Sequence, residues 1–186
     1  SEERFIQRFL EVEAALARVQ AAEGMIPESA AEEITEKASL EYVDFEQVAE
    51  NVADVHLFSM SIIGAWKESM GEAGEYVHWG ATTQDISDTA LVLQIRDGLD
   101  AIERDLDAIA EALEELTEEH AETPMMGRTH MVHALPITFG LKTATWLDEI
   151  NRHRDRIEAM RERVEGVEFF GAVGSLASLG EDGLVI

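Results

Sequence analysis

Apolar residues recur at helical spacing through most of this chain. Phe5, Phe9, Val12, Leu16 and Val19 fall every three or four residues, which predicts an amphipathic helix over residues 5–23 that Gly24 and Pro27 bring to an end. A shorter helix is expected over 28–38. A third is expected over 45–70, with Val48, Val52, Val55, Phe58, Ile62 and Trp66 as its stripe and His56 riding on it. Residues 71–81, with Gly71, Gly74 and Gly80, read as a loop without a hairpin signal. From 83 to 120 the pattern tightens, because Ile95, Leu99, Ile102, Leu106, Ile109, Leu113 and Leu116 alternate steps of four and three. That is a heptad seam, and it predicts a straight helix of roughly 50 Å at about 1.5 Å per residue. A last long helix is expected over 136–164, opened by Pro136, whose missing N–H costs little in a first turn.

The tail departs from this regularity. Residues 169–180 are rich in glycine, alanine and serine, and the chain stops on the apolar Leu184-Val185-Ile186. Such an end is expected either to run on into further sequence or to be covered by a partner. The pattern as a whole predicts an all-α protein built as a long-helix bundle. Its expected division is an N-terminal helical domain over 1–81 and the first part of a central bundle over 82–186.

Composition narrows the function classes. The 186 residues carry 39 acidic against 14 basic side chains, a net charge of −25, so nucleic acid would be repelled. Only Lys37, Lys67 and Lys142 are lysines, and the acids are spread along helix faces. This is the surface expected of a salt-adapted, halophilic protein, whose self-repulsion is relieved when salt shortens the screening length. No run of apolar residues is long enough for a membrane span and no signal peptide is evident, so a cytoplasmic protein is expected. The absence of cysteine excludes disulfides and thiolate zinc sites within these residues.

Two short segments carry the chemistry. His78-Trp79-Gly80-Ala81-Thr82-Thr83-Gln84-Asp85 puts an imidazole, two hydroxyls and an amide at the start of the heptad helix, where unpaired backbone N–H groups suit carboxylates. Gly127-Arg128-Thr129-His130-Met131-Val132-His133 gathers an arginine and two histidines just before the last helix. Imidazole is suited to acid–base work near neutral pH, which makes His56, His78 and His130 the candidates. His120 and His153 sit among charged helical neighbours and are expected to be solvated. His130 and His133 lack a third ligand at metal-binding spacing, so no metal site is expected. Gly171-Ala172-Val173-Gly174 matches no nucleotide-binding fingerprint, and no nucleophile elbow is present.

These segments, together with Val12-Glu13-Ala14-Ala15-Leu16-Ala17-Arg18, Ala134-Leu135-Pro136-Ile137-Thr138-Phe139-Gly140-Leu141-Lys142 and Gly174-Ser175-Leu176-Ala177-Ser178-Leu179-Gly180, resemble the fumarase/aspartase superfamily over nearly the whole chain. That superfamily includes adenylosuccinate lyase and 3-carboxy-cis,cis-muconate cycloisomerase. The general frame is closest to the cycloisomerase branch. The corner Gly127-Arg128-Thr129-His130 is similar to adenylosuccinate lyase, whereas the cycloisomerases typically carry a tryptophan at the position of His130.

The resemblance implies an anti elimination from a succinyl-type substrate that releases fumarate, with no cofactor. It gives His130 as the general acid and His56 as a neighbour that orients it or binds substrate. His78, Thr82, Thr83, Gln84, Arg128 and Thr129 would bind a small dicarboxylate substrate. It further implies a homotetramer with active sites shared between subunits, a catalytic serine on a loop downstream of Ile186, and, for the adenylosuccinate branch, a place in purine biosynthesis. The alternatives are a cycloisomerase and a helical assembly module without catalysis.

Overall fold

The computed structural model describes residues 1–186 apart from His56 and the side chain of Val55. The chain is helical, with α1 (Glu2–Ala22), α2 (Glu28–Glu36), α3 (Phe45–Val55), α4 (Phe58–Lys67), α5 (Thr83–Glu119) and α6 (Phe139–Val164), and one antiparallel hairpin of β1 (Pro124–Thr129) and β2 (Val132–Thr138). It forms two compact units. The first comprises Ser1–Gln94 and Gly166–Ile186, the second Ile95–Glu165. Among the described residues no helix is long and apolar enough to cross a membrane.

The first unit holds the hydrophobic core. The α1 stripe buries Ile6, Phe9, Leu10, Ala14, Leu16 and Ala17 together with Ile34 of α2, Ile62, Ile63 and Trp66 of α4, and Ile86 and Ala90 of α5. Buried aromatic and aliphatic side chains of this size contribute about 1.5–3 kcal/mol each. Trp66 and Lys37 tie two parts of this core together: the indole Nε1 donates to the Lys37 carbonyl at 2.7 Å, and the Lys37 ammonium bonds the Ser69 carbonyl and, at 2.9 Å, Glu33.

The single helix expected over 45–70 is instead two. Leu57 is extended (φ −124°, ψ 105°) and α4 restarts behind it, with the Ser61 backbone N–H and hydroxyl both donating to the Leu57 carbonyl. The break lets α3 fold back on α4, and Asn51 Nδ2 reaches the Ser61 carbonyl at 3.4 Å. Ile62, Ile63 and Trp66 of α4 lie in the same buried cluster as the α1 residues. His56, expected on that helix, lies outside the described residues.

The second unit departs from an all-helical pattern. Residues 124–138 form a hairpin, so Pro136 stands in β2 opposite Met126 and does not open α6. α6 begins at Phe139, capped by the Thr138 hydroxyl, which accepts from the Leu141 N–H at 3.1 Å. Proline is tolerated here because the ladder is irregular next to it: the register shifts between Met126 and Arg128. A side chain on Gly127, inside that bulge, would stand 2.7 Å from the Leu135 carbonyl oxygen.

Within this unit the later turns of α5 run antiparallel to α6. Thr117 and Thr143 share a hydrogen bond at 2.9 Å, Arg154 pairs with Asp107 at 2.8 Å, and Arg161 pairs with Asp100 at 2.7 Å and Glu103 at 2.6 Å. Hydrogen bonds to Glu103, Asp100 and Glu165 hold the Arg161 guanidinium above its ordinary pKa, which leaves it charged at any working pH. The heptad seam divides by exposure. Leu99 is buried and Leu106, Leu113 and Leu116 half-buried, whereas Ile95, Ile102 and Ile109, seven residues apart, are exposed. His153 is exposed as expected. His120 is half-buried, its ring 5.1 Å from Phe139 and its Nδ1 bonded to Thr123, because it closes α5 against the start of α6.

Candidate active site

The two halves of the expected site belong to different compact units: His78, Thr82, Thr83 and Gln84 to the first, and Arg128, Thr129 and His130 to the second.

The first half is built from α1. Glu13 and Gln20 lie two turns apart on its buried face, among Phe9 and Leu16, where a purely apolar residue would be expected. Each is buried (2% and 0% exposed) and each reaches the loop before α5. The Gln20 amide donates to the Trp79 carbonyl at 2.6 Å, while its own Oε1 is a buried oxygen with no hydrogen-bond partner among the described residues. The Glu13 carboxylate takes two bonds from one residue: Oε1 is 2.6 Å from His78 Nδ1, and Oε2 accepts the His78 backbone N–H at 3.1 Å. His78 adopts φ 65°, a left-handed conformation that non-glycine residues rarely take without compensation. Gly80 follows at φ 76°, and a side chain there would run into Leu179 at 2.2 Å.

At the start of α5, Thr82 and Thr83 are half-buried and Gln84 is exposed, its amide donating to Asp88 at 2.6 Å. Asp85 is buried and acts as a hub. Its Oδ2 accepts from the Thr82 N–H at 3.0 Å and the Gly171 N–H at 2.9 Å, and its Oδ1 from the Phe170 N–H at 2.9 Å. Reaching back from the third helical position to the N-cap N–H is half of a capping box. The other two bonds fasten the tail to the helix start, assisted by Thr89, whose hydroxyl accepts from the Glu168 N–H at 3.3 Å, and by Ser178, which donates to the Gly80 carbonyl at 3.0 Å. A half-buried pair of threonine hydroxyls therefore sits on a fixed helix terminus, with His78 clamped just upstream.

The second half is the hairpin. Arg128 and Thr129 end β1, opposite His133 and Val132, and His130 and Met131 form the two-residue turn. Both turn residues have positive φ, 34° and 67°, as a turn matching strand twist requires, although neither is glycine or asparagine. Arg128, Thr129 and His130 are exposed, and Met131 is 99% exposed. The turn thus presents an imidazole at the tip of a ribbon with a guanidinium two residues before it, an arrangement able to deliver a proton next to an anion.

The signal for Glu13 and Gln20 was present in the sequence, as polar residues at stripe positions of α1. Their partners, 65 and 59 residues away, were not.

A family model described as lyase matches residues 1–184. Adenylosuccinate lyase of Pyrococcus horikoshii is 47% identical over 180 residues, covering 97% of this chain and 40% of that protein. N-acetyl-S-(2-succino)cysteine lyase of Enterococcus italicus is 44% identical over 183 residues, covering 98% of this chain and 40% of that protein. The crystal structure of 3-carboxy-cis,cis-muconate lactonizing enzyme from Pseudomonas putida matches with a TM-score of 0.94 and 40% identity, over 100% of this chain and 43% of that one. Helical fold and matched sequence together define a chain of the lyase class. It belongs to the fumarase/aspartase superfamily. It spans about 40% of the length of the curated relatives it matches.

Proposed function

We propose that the protein is an adenylosuccinate lyase-like enzyme that cleaves a succinyl-type substrate by anti elimination and releases fumarate. A base takes the proton from the carbon beside a carboxylate, and His130, with His56 as its orienting neighbour, protonates the leaving group as the carbon–heteroatom bond breaks. His78, Thr82, Thr83, Gln84, Arg128 and Thr129 hold the substrate's carboxylates, and the chemistry needs no cofactor. The observation that carries this reading is the histidine at the hairpin tip: an exposed imidazole two residues after Arg128 supports proton transfer to a group leaving an anionic substrate. The 47% identity to the Pyrococcus enzyme points the same way. The runner-up is cycloisomerisation of a carboxylated muconate, favoured by the likeness to the Pseudomonas putida structure.

In this reading residues 1–81 serve as an N-terminal helical domain and 82–186 open a central bundle of a cytoplasmic homotetramer. Exposure of His130 and of Ile95, Ile102 and Ile109 fits a site and a seam completed by other subunits. Ile102→Glu should then break the assembly, because burying a lone carboxylate at a subunit contact costs several kcal/mol. A parent-sized particle in light scattering of that variant would place the contact on another face.

Valine at Thr82 or Thr83 tests the binding half. Each removes one hydroxyl without changing shape, so KM for the dicarboxylate should rise about 10-fold while kcat stays near the parent value. Unchanged KM in both variants would take the α5 terminus out of the substrate site.

A further inference from the structure

The Glu13 carboxylate does more at His78 than fasten a loop. Holding the chain needs only a main-chain bond, as Gln20 shows at the neighbouring residue, where its amide takes the Trp79 carbonyl and leaves the indole alone. Glu13 takes the main-chain N–H of His78 with one oxygen and the ring Nδ1 with the other. A carboxylate has no proton to give, so the hydrogen in the 2.6 Å contact belongs to the ring, on Nδ1. The Glu13 side chain is 1% exposed and that of His78 13%, so the pair is shielded from water on the carboxylate side and open only on the imidazole side. The same pair of bonds stabilises the left-handed backbone of His78 (φ 65°).

We propose that Glu13 is a positioning residue for His78: it fixes the Nδ1–H form and the plane of the imidazole, so that Nε2 is the ring atom presented to substrate. Among the described residues Nε2 has no hydrogen-bond partner. With a second proton on Nε2 the ring donates to a substrate carboxylate, and the imidazolium charge is balanced by the buried Glu13. A carboxylate partner that orients an imidazole through its other nitrogen is a general way of setting which atom does the work. This inference rests on the reading of His78 as a substrate-binding residue.

The test uses the complete protein with nitrogen-15-labelled histidine. In the parent, the long-range nitrogen–proton spectrum of His78 should show Nδ1 protonated and hydrogen-bonded. Glu13→Gln, which keeps the shape but loses the charge and leaves one acceptor oxygen for two N–H donors, should weaken that signature and raise KM about 10-fold with kcat within about 3-fold of the parent. Glu13→Asp should restore part of both. In a double-mutant cycle, Glu13→Gln should add nothing to KM once His78→Gln is present, because its effect passes through the ring. A spectrum unaltered by Glu13→Gln, or KM effects that simply add, would reduce Glu13 to a loop fastener and overturn the proposal. Should His78→Gln leave KM unchanged, His78 is not a substrate ligand and the reading of the site fails, while the ring spectra still decide whether Glu13 sets the imidazole.

Discussion

Alanine in place of Asp85 is expected to destabilise the first compact unit by roughly 3–5 kcal/mol, near the top of the range for a single substitution. Its carboxylate satisfies three backbone N–H groups, those of Thr82, Phe170 and Gly171, and the Gly171 bond is fully buried. Each orphaned donor costs about 1–3 kcal/mol, less where water can reach it. Asp85→Asn should cost about half as much, since its amide oxygen still accepts but its NH₂ meets a donor. Urea unfolding followed by circular dichroism would show the midpoint falling with an unchanged slope. A midpoint within error of the parent would mean that the tail is held to α5 by its apolar contacts alone.

Alanine at His130 should leave stability almost untouched and lower turnover about 10²- to 10⁴-fold, the usual contribution of a positioned proton donor. The side chain is exposed at the hairpin tip, so its loss removes little packing. The turn conformation, φ 34°, is no easier for alanine than for histidine. KM should change little, because the carboxylates of the substrate are held elsewhere. Steady-state kinetics beside a thermal melt separate the two effects. Near-parent turnover, or a collapse of the melting temperature, would remove the general-acid role from His130.

The sequence revealed what periodicity can carry. Although the buried face of α1 runs through Ile6, Phe9, Leu10, Glu13 and Leu16 and leaves Val19 of the expected stripe exposed, the extent of α1 and the start and end of α5 were readable from regular apolar spacing. The polar segment 78–85 was readable as a helix start for the same reason: threonine and aspartate favour that place, and the structure puts α5 at Thr83. The hairpin was not readable. Its turn is His130-Met131 where glycine or asparagine would announce it, and Pro136 next to the helix read as a helix opener although it sits beside a bulge in β2. The break at Leu57 was hidden because Val48, Val52, Phe58, Ile62 and Trp66 stay at compatible spacing across it; only the extended backbone of Leu57 and the packing of α3 on α4 show it. Asp85 illustrates the remaining limit. A capping role was legible from its position, whereas its bonds to Phe170 and Gly171 join residues 85 and 86 positions apart.

Elimination with His130 as the acid is tested most directly by product formation. The complete protein would be incubated with adenylosuccinate, and fumarate followed by its ultraviolet absorbance, for the parent and for His130→Ala. Equimolar fumarate from the parent, at a rate at least about 100-fold above the variant, is the predicted result. The contradicting result is no fumarate from adenylosuccinate, together with conversion of 3-carboxy-cis,cis-muconate to its lactone at equal rates by the two proteins.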